Sequence, residues 1–248
     1  MSGTFRAELD GDIATLLIDN PAKRNAMSLS MYREVPAAVE AVRDARVVVL
    51  RGAGSTAFGA GSDISEFAER RTGDNAGHYN SVESEATDAL ASLPMPVIAA
   101  VHGPCRGGGA ALALCADLRF AAADATFATP PARLGVGYPV DSVERLVAVV
   151  GAAAAKDLLL TARVVGAEEA LSMGLVHRVV ESDELDDLAA ETAAQIASLA
   201  PLSLRAAKAA IDKAPDAVAL TRACFRSADF AEGIASFAER RPPVFTGT

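Results

Sequence analysis

Three consecutive glycines at positions 107–109 are the first feature of the sequence that could take part in chemistry. They follow an apolar run at 96–101, typical of a buried strand, and precede an apolar helix that we expect to reach Cys115. The first amides of a helix have no intrahelical acceptor, and the helix dipole makes them attractive to negative charge. Glycine also allows another group to approach the backbone closely. The cluster therefore indicates either a site for a developing anion or only a tight turn between a strand and a helix.

The cysteines and histidines offer little further chemistry. The three cysteines are Cys105, Cys115 and Cys224. Their spacing gives no pair of metal ligands and their odd number disfavours a disulfide framework, so reduced thiols are expected and no metal site is predicted. A nucleophilic Cys105 would need a neighbouring base. His102 and His177 adjoin predicted strands and are expected to be structural, whereas His78 lies in a polar segment from which it could reach a substrate.

The overall charge narrows the class of partner. The chain has 248 residues and a formal net charge of −9. This acidity disfavours a nucleic-acid-binding function, and an anionic ligand would need local positive groups. No run of about 20 apolar residues predicts a membrane span, and the first residues, MSGTFRAELDG, do not have the pattern of a signal peptide. We therefore expect a cytoplasmic protein with one large domain, or one domain and an appendage.

The pattern of elements predicts strands with intervening helices and then a helical C-terminal region. Residues 5–9 and 13–18 alternate around Asp10-Gly11 as in a hairpin, and Ser28 is a plausible N-cap for a helix to about Asp44. The segment 62–80 is polar and is predicted to be a mobile surface loop. Further predictions are strands at 47–50, 96–101, 118–121, 125–127 and 175–180, and helices at 81–93, 141–149, 153–160, 167–173 and beyond 183.

Four segments together make the sequence recognisable. They are NPAKRNAMS at 20–28, AFGAGSDISEF at 57–67, PVIAAVHGPCRGGGAALALCADLRFA at 96–121 and TARVVGAEEALSMGLVHRVV at 161–180. In their order and spacing the chain resembles the enoyl-CoA hydratase/isomerase (crotonase) family over nearly its whole length. The resemblance implies an α/β fold, a crotonase-like spiral of ββα units at 1–190 with a helical C-terminal trimerisation region at 191–248. It also implies a homotrimer or dimer of trimers, an acyl-CoA substrate, and no cofactor beyond the coenzyme A of that substrate.

The resemblance also implies a role for the glycines. In the family, two main-chain amides hold the negative charge that develops on a thioester carbonyl, and here they would belong to Gly108 and Ser62. Such an oxyanion hole requires donors about 2.7–3.1 Å from the oxygen. The residues expected by resemblance at coenzyme A are Lys23, Arg24, Ala60, Asp63, Ile64, Phe237 and Arg240. Asp63 is expected to anchor its loop rather than to contact a phosphate, and Phe237 and Arg240 to reach a neighbouring subunit's ligand. Each basic residue could also be a solvated surface charge.

The sequence departs from the family where protons are moved. The family's hydratases use two glutamates, and the matching positions hold Ala111 and Pro131. Because neither side chain can transfer a proton, we favour a non-standard lyase or isomerase, such as a decarboxylase, over plain hydration. Tyr138, in the segment LGVGY at 134–138, is the candidate proton donor, although it could simply line the pocket.

Several other side chains and two other functions stay open from the sequence. A relocated base could be Glu66, Glu83 or Glu85, and Arg133 could hold a carboxylate-bearing acyl group. Asp141 is interpreted as an N-cap rather than a catalytic group, and Glu144 as exposed. The alternative functions are an acyl-CoA thioester hydrolase and a non-catalytic acyl-CoA-binding protein.

Overall fold

The computed structural model describes residues 3–248, which form two sheets surrounded by helices. The strands in this range are β1 (Thr4–Asp10), β2 (Ile13–Asp19), β3 (Val47–Gly52), β4 (Val97–Val101), β5 (Pro104–Arg106), β6 (Leu118–Ala122), β7 (Thr126–Ala128), β8 (Val165–Gly166) and β9 (Arg178–Val180). The larger sheet has the order β1-β2-β3-β4-β6-β9, and the smaller has the order β5-β7-β8. The β1–β2 pair is antiparallel, and the rest of the larger sheet is parallel.

The helices cover both faces of the larger sheet. They are α1 (Leu29–Ala41), α2 (Phe67–Arg70), α3 (Asn75–Ala91), α4 (Gly108–Leu114), α5 (Val140–Thr161), α6 (Ala167–Ser172), α7 (Leu185–Ala197), α8 (Pro201–Ile211), α9 (Ala217–Cys224) and α10 (Ala228–Glu239). The side chains of β3 alternate between two cores: Val48 and Leu50 pack with α1 and α3, while Val47 and Val49 pack with α7. A parallel strand covered on both faces is expected to be apolar throughout, as this one is.

The N-terminal elements follow their local sequence signals. Gly11, with φ of 58°, lies in the turn of the predicted hairpin, and Asp10 pairs with Ile13 across it. The Ser28 hydroxyl accepts a hydrogen bond from the Met31 amide, which confirms the predicted N-cap of α1. The helix ends at Ala41, earlier than the predicted Asp44.

The segment 62–80 is largely helical, so the prediction of an irregular loop is wrong. It contains a 3₁₀ helix (Ile64–Glu66), α2 and the first turns of α3, which begins at Asn75 rather than at 81. Asp63 caps the 3₁₀ helix by accepting from the Ser65 amide. The polar composition of this segment does not predict helices, because the contacts that stabilise them are tertiary.

The region after Tyr138 also differs from the predictions. The two helices predicted at 141–149 and 153–160 are confirmed as two helical segments of α5, which are separated by a kink at Gly151 with a non-helical φ of 76° and ψ of 162°. The residue at the N-cap position of α5 is Pro139, so Asp141 lies in the first turn and the N-cap interpretation is wrong. The strand predicted at 175–180 is confined to Arg178–Val180.

The C-terminal region is helical, as predicted. The proposed division at residue 190 falls inside α7, which packs on β3, β4 and β6, while α8 to α10 follow it. No helix within residues 3–248 is long and apolar enough to cross a membrane.

Candidate active site

The segment around Ser62 directs one backbone amide away from its neighbouring strand. The Met27 amide donates to the Gly61 carbonyl at 2.8 Å, and the Asp63 amide donates to the Met27 carbonyl at 2.7 Å. This is a parallel bridge between Met27 and Ser62. Because successive amides of an extended chain point to opposite sides, the Ser62 N–H points away from Met27.

Gly108 contributes a second amide next to this one. It is the first residue of α4, where an N–H has no intrahelical acceptor. The two segments touch, since a Cβ built on Gly61 would lie 3.8 Å from the Gly108 nitrogen. Among residues 3–248, neither the Ser62 nor the Gly108 amide donates to a protein acceptor. We call these two N–H groups the amide pair.

Tyr32, on α1, fixes the position of both members of the amide pair. A Cβ built on Gly108 would lie 1.9 Å from the Tyr32 hydroxyl oxygen, so this residue must be glycine in the present packing. The same hydroxyl is hydrogen-bonded to the Ser62 Oγ at 3.0 Å. Burial, with the nearby Glu83, raises the pKa of Tyr32 well above its usual value. Tyr32 is not among the site residues predicted from the sequence. It is 30 residues from Ser62 along the chain, and its helix was predicted from an N-cap residue, which says nothing about a site.

A cavity of about 110 Å³ opens beside the amide pair. It is lined by Ala60, Gly61, Ser62, Ile64, Phe67, Arg71, Glu83, Arg106, Gly107, Gly108, Pro130, Pro131, Leu134, Val136 and Tyr138. The structure therefore brings together Ser62, Gly108 and Tyr138, the three residues predicted to be catalytic. The Tyr138 hydroxyl donates to the Gly107 carbonyl at 3.1 Å. Burial, followed by the Glu83 charge, raises the pKa of Tyr138, so the phenol is protonated near neutral pH.

A buried ion pair forms another part of the cavity wall. Arg71 donates from Nη2 to the Glu83 Oε2 at 2.9 Å, and their side chains are 6% and 3% exposed. The guanidinium lies over the rings of Phe67 and Tyr79, 5.0 and 4.6 Å from their centroids. It also donates to the Asn80 Oδ1 at 2.8 Å. Burial raises the pKa of the Glu83 carboxyl, while Arg71 opposes this rise.

The positions matching the family's two glutamates contain no proton-transfer group. Ala111 is 1% exposed in the core, and Pro131 begins a 3₁₀ helix on the cavity wall. The other acidic candidates are directed elsewhere. The Glu66 Oε2 accepts from the Leu29 amide, Asp141 pairs with Arg145, and both Glu85 and Glu144 are exposed. Glu83 is thus the carboxylate that the structure places in the cavity wall.

Arg106 places a second cation on the cavity wall. Its Nη2 donates to the Thr126 Oγ1 at 2.8 Å, while its Nη1 is buried without a hydrogen-bond partner in the described part of the chain. Arg133, which was considered as a carboxylate ligand, is exposed on the 3₁₀ helix Pro131–Arg133.

The residues predicted at coenzyme A fall into two groups. Lys23 Nζ donates to the Asp63 carboxylate at 2.6 Å, and the Arg24 carbonyl accepts from the Ala60 amide at 3.0 Å. Ala60 and Ile64 line the cavity. Burial would raise the pKa of the Asp63 carboxyl, but hydrogen bonds from Lys23 and Ser65 outweigh it and lower that pKa.

The second group lies on the C-terminal helices. Phe237 is 88% exposed on α10, and Arg240 caps the end of that helix in the left-handed conformation. Neither residue lines the cavity of its own chain. Phe237 instead borders a groove of about 720 Å³ between α8, α9 and α10, with Phe225, Phe230 and Ile234.

The remaining nucleophile and ligand candidates lie away from the cavity. His78 is hydrogen-bonded to Arg33 at 2.9 Å, and the His177 Nδ1 accepts from the Arg119 amide at 3.1 Å. His102 is buried, which lowers its pKa. Burial raises the pKa of the Cys105 thiol to about 12, so it is not a thiolate nucleophile near neutral pH. Residues 3–248 contain no cluster of three or more side chains that could hold a metal ion.

Comparison with known proteins identifies the family of the chain. The family model for enoyl-CoA hydratase/isomerase matches residues 8–248. The chain belongs to the enoyl-CoA hydratase/isomerase family. It is 35% identical to the crotonyl-CoA hydratase of Syntrophomonas wolfei, covering 96% of each chain. It is 36% identical to the short-chain-enoyl-CoA hydratase of Clostridium acetobutylicum, covering 91% of this chain and 87% of that one.

A solved structure shows the same fold. An enoyl-CoA hydratase/carnithine racemase from Magnetospirillum magneticum superimposes with a TM-score of 0.93 at 39% identity, covering 100% of this chain and 97% of that one. The predicted α/β crotonase fold is therefore confirmed, and the protein is a member of an acyl-CoA enzyme family.

Proposed function

We propose that this protein binds acyl-CoA thioesters and stabilises an enolate with the amide pair, as a lyase or isomerase rather than a two-glutamate hydratase. The observation that carries the proposal is a pair of unpaired backbone amides, Ser62 and Gly108, beside a cavity with Ala111 and Pro131 at the hydratase positions. The proposed chemistry moves only protons or carbon dioxide. It needs no group besides the coenzyme A that the substrate carries.

The amide pair suits a charge that develops during the reaction. Removing a proton or a carboxylate from the carbon next to a thioester carbonyl moves an electron pair onto the carbonyl oxygen. Fixed N–H donors stabilise this oxygen without reorganising, and each donor contributes about 10²–10³ in rate. Tyr32 supports this arrangement because its hydroxyl contacts both the Gly108 Cα region and the Ser62 side chain.

Hydration is disfavoured although all three compared proteins have hydratase in their names. Addition of water across a conjugated double bond needs one group to activate the water and one to protonate the α-carbon. Ala111 and Pro131 supply neither. An isomerase needs one shuttling group, and a decarboxylase needs only a proton donor after carbon dioxide leaves.

Arg106 and Tyr138 favour decarboxylation as a second candidate. The buried, unpartnered Nη1 of Arg106 on the cavity wall is complementary to a carboxylate on the acyl group. Tyr138 remains protonated and could protonate the resulting enolate. A carboxylate-bearing acyl-CoA of the malonyl type is the substrate class for this branch.

We also propose that coenzyme A is bound between subunits of a homotrimer, alone or as a dimer of trimers. Ala60 and Ile64 would contact it from one chain, and Phe237 and Arg240 from its neighbour. The apolar groove beside the 88% exposed Phe237 supports a second copy of the chain as its occupant. The charge of Lys23 is already paired with the Asp63 carboxylate, so we expect Lys23 to contribute less than Arg240 to binding of the phosphates.

A panel of acyl-CoAs followed by mass spectrometry tests the proposed function. The panel contains a 2-enoyl, a 3-enoyl, a malonyl-type and a saturated acyl-CoA, with binding measured for each by calorimetry. We expect conversion of the 3-enoyl or the malonyl-type substrate to exceed hydration of the 2-enoyl one. Efficient hydration would contradict the argument from Ala111 and Pro131.

The same panel separates the alternatives. Release of free coenzyme A from the saturated thioester would identify a hydrolase, and binding without turnover would identify an acyl-CoA-binding protein. Absence of binding to every acyl-CoA would refute the proposal. Carbon dioxide release that is unchanged in Tyr138→Phe would exclude Tyr138 as the proton donor.

A further inference from the structure

We propose that the Glu83 carboxylate is the base that removes a proton from the carbon next to the thioester carbonyl. Glu83 is the acidic side chain on the cavity wall in the described part of the chain, and it lies on α3, far in sequence from Ala111 and Pro131. This inference rests on the proposed function, because it assumes that an acyl thioester occupies the cavity.

The surroundings of Glu83 place it next to the amide pair. Glu83 lines the same cavity as Ser62 and Gly108, and the Tyr32 hydroxyl lies against Gly108 and is hydrogen-bonded to Ser62. The cavity wall therefore carries both the group that would remove a proton and the amides that would hold the resulting charge. A base and an oxyanion site on neighbouring walls are what enolate formation requires.

The ion pair with Arg71 is difficult to explain by stability alone. Burying two charges costs several kcal/mol per ion before their attraction is counted, and apolar replacements are often at least as stable. Arg71 is also held between Phe67 and Tyr79, so its position is fixed. It binds the Oε2 of Glu83 and favours the ionised carboxylate against the effect of burial. Arg71 is thus a positioning residue that keeps Glu83 able to accept a proton.

The proposed step is a proton transfer with no net redox change. Glu83 takes the α-proton, the C–H electron pair becomes the π bond between the α-carbon and the carbonyl carbon, and the carbonyl π pair moves to the oxygen beside the amide pair. The protonated Glu83 then returns its proton. On a β,γ-unsaturated acyl thioester, return to the γ-carbon shifts the double bond into conjugation. On a saturated acyl thioester, the Glu83 proton exchanges with water before a proton returns to the α-carbon, so the thioester is regenerated with a solvent hydrogen at that carbon.

Hydrogen exchange on a saturated substrate tests this step without requiring the natural substrate. Butyryl-CoA is incubated with the protein in D₂O, and α-deuterium is measured by mass spectrometry. We expect the wild type to catalyse exchange and Glu83→Gln to reduce its rate at least 100-fold, since a general base contributes about 10²–10⁴. Butyryl-CoA affinity by calorimetry should change less than threefold. The matched control is Glu85→Gln, an exposed residue on the same helix, for which exchange should be unchanged.

The outcomes separate this inference from the proposed function. If the wild type binds butyryl-CoA but does not exchange its α-protons, or if Glu83→Gln exchanges within threefold of wild type, the role of Glu83 is overturned while acyl-CoA binding stands. If the wild type does not bind any acyl-CoA, the proposed function fails together with it. Thermal unfolding checks that Glu83→Gln folds. If it does not fold, Glu83→Asp is measured instead, because its shorter side chain keeps a charge for Arg71 but moves the carboxylate away from the substrate. At least tenfold slower exchange in Glu83→Asp supports the proposal, and an unchanged rate refutes it.

Discussion

Gly108→Ala is expected to remove most of the activity by displacing one amide of the pair. The added Cβ would lie 1.9 Å from the Tyr32 hydroxyl oxygen, about 1.5 Å short of an ordinary contact at 3.4 Å. It would also lie 3.0 Å from the Ser62 Oγ. Tyr32 is fully buried and therefore has little room to move. The backbone at 108 must shift instead, and Ser62, which contacts the same hydroxyl, is disturbed with it.

The magnitude follows from the geometry that an oxyanion donor requires. A useful donor lies about 2.7–3.1 Å from the oxygen, so a shift of about 1 Å removes most of its contribution. Loss of one donor lowers the rate about 10²–10³-fold, or about 2.7–4 kcal/mol of transition-state stabilisation. Overpacking adds about 1–3 kcal/mol of lost folding stability. Ground-state binding should change much less than turnover.

The assay compares four variants with the best substrate from the acyl-CoA panel. Gly77→Ala is the control, because a Cβ there meets nothing within 4 Å and the residue is helical. It should retain activity within twofold and gain up to about 1 kcal/mol of stability. Tyr32→Phe removes the oxygen that clashes, leaving the nearest ring carbon at 3.3 Å. The double variant Gly108→Ala/Tyr32→Phe should therefore recover at least tenfold over Gly108→Ala.

Two results would refute this reasoning. Turnover of Gly108→Ala within threefold of wild type would show that the Gly108 amide does not stabilise the transition state. A double variant no more active than Gly108→Ala would show that contact with Tyr32 is not the cause of the loss. Loss of turnover in Gly77→Ala would show that the assay is reporting general sensitivity of the fold.

Two further predictions concern stability and assembly. Hydrogen bonds from Lys23 and Ser65 outweigh the effect of burial and lower the pKa of Asp63 in the folded protein. The ionised carboxylate therefore stabilises the fold at neutral pH, and this stabilisation is lost as the pH falls through the lowered pKa. In urea titrations, Asp63→Asn should be about 1–3 kcal/mol less stable than wild type at pH 7, and the difference should vanish in acid; a constant difference would contradict this. For the proposed homotrimer, we expect Phe237→Asp to sediment as smaller species than the wild type, and Leu9→Asp, 58% exposed on β1, to sediment like the wild type. An unchanged distribution for Phe237→Asp would argue against α10 as the interface.

The predictions that succeeded rest on local signals. The hairpin follows from the alternation around Gly11, and the start of α1 follows from Ser28, whose hydroxyl meets an amide three residues later. The segment 62–80 was misread because its order depends on Arg71, a charged residue that is buried against partners from α2 and α3.

The sequence by itself determined the family and the fold class, because four ordered segments resemble the enoyl-CoA hydratase/isomerase family along nearly the whole chain. The same resemblance predicts the roles of the Ser62 and Gly108 amides. The sequence also determined that Ala111 and Pro131 replace the usual glutamates. Only the tertiary structure decided which acidic residue borders the cavity. The sequence does not distinguish Glu83, Glu85 and Glu66 as candidate bases. The orientation of α3 buries Glu83 against Arg71 and leaves Glu85 exposed. Tyr32 became part of the site in the same way, because packing of α1 brings its hydroxyl against Gly108.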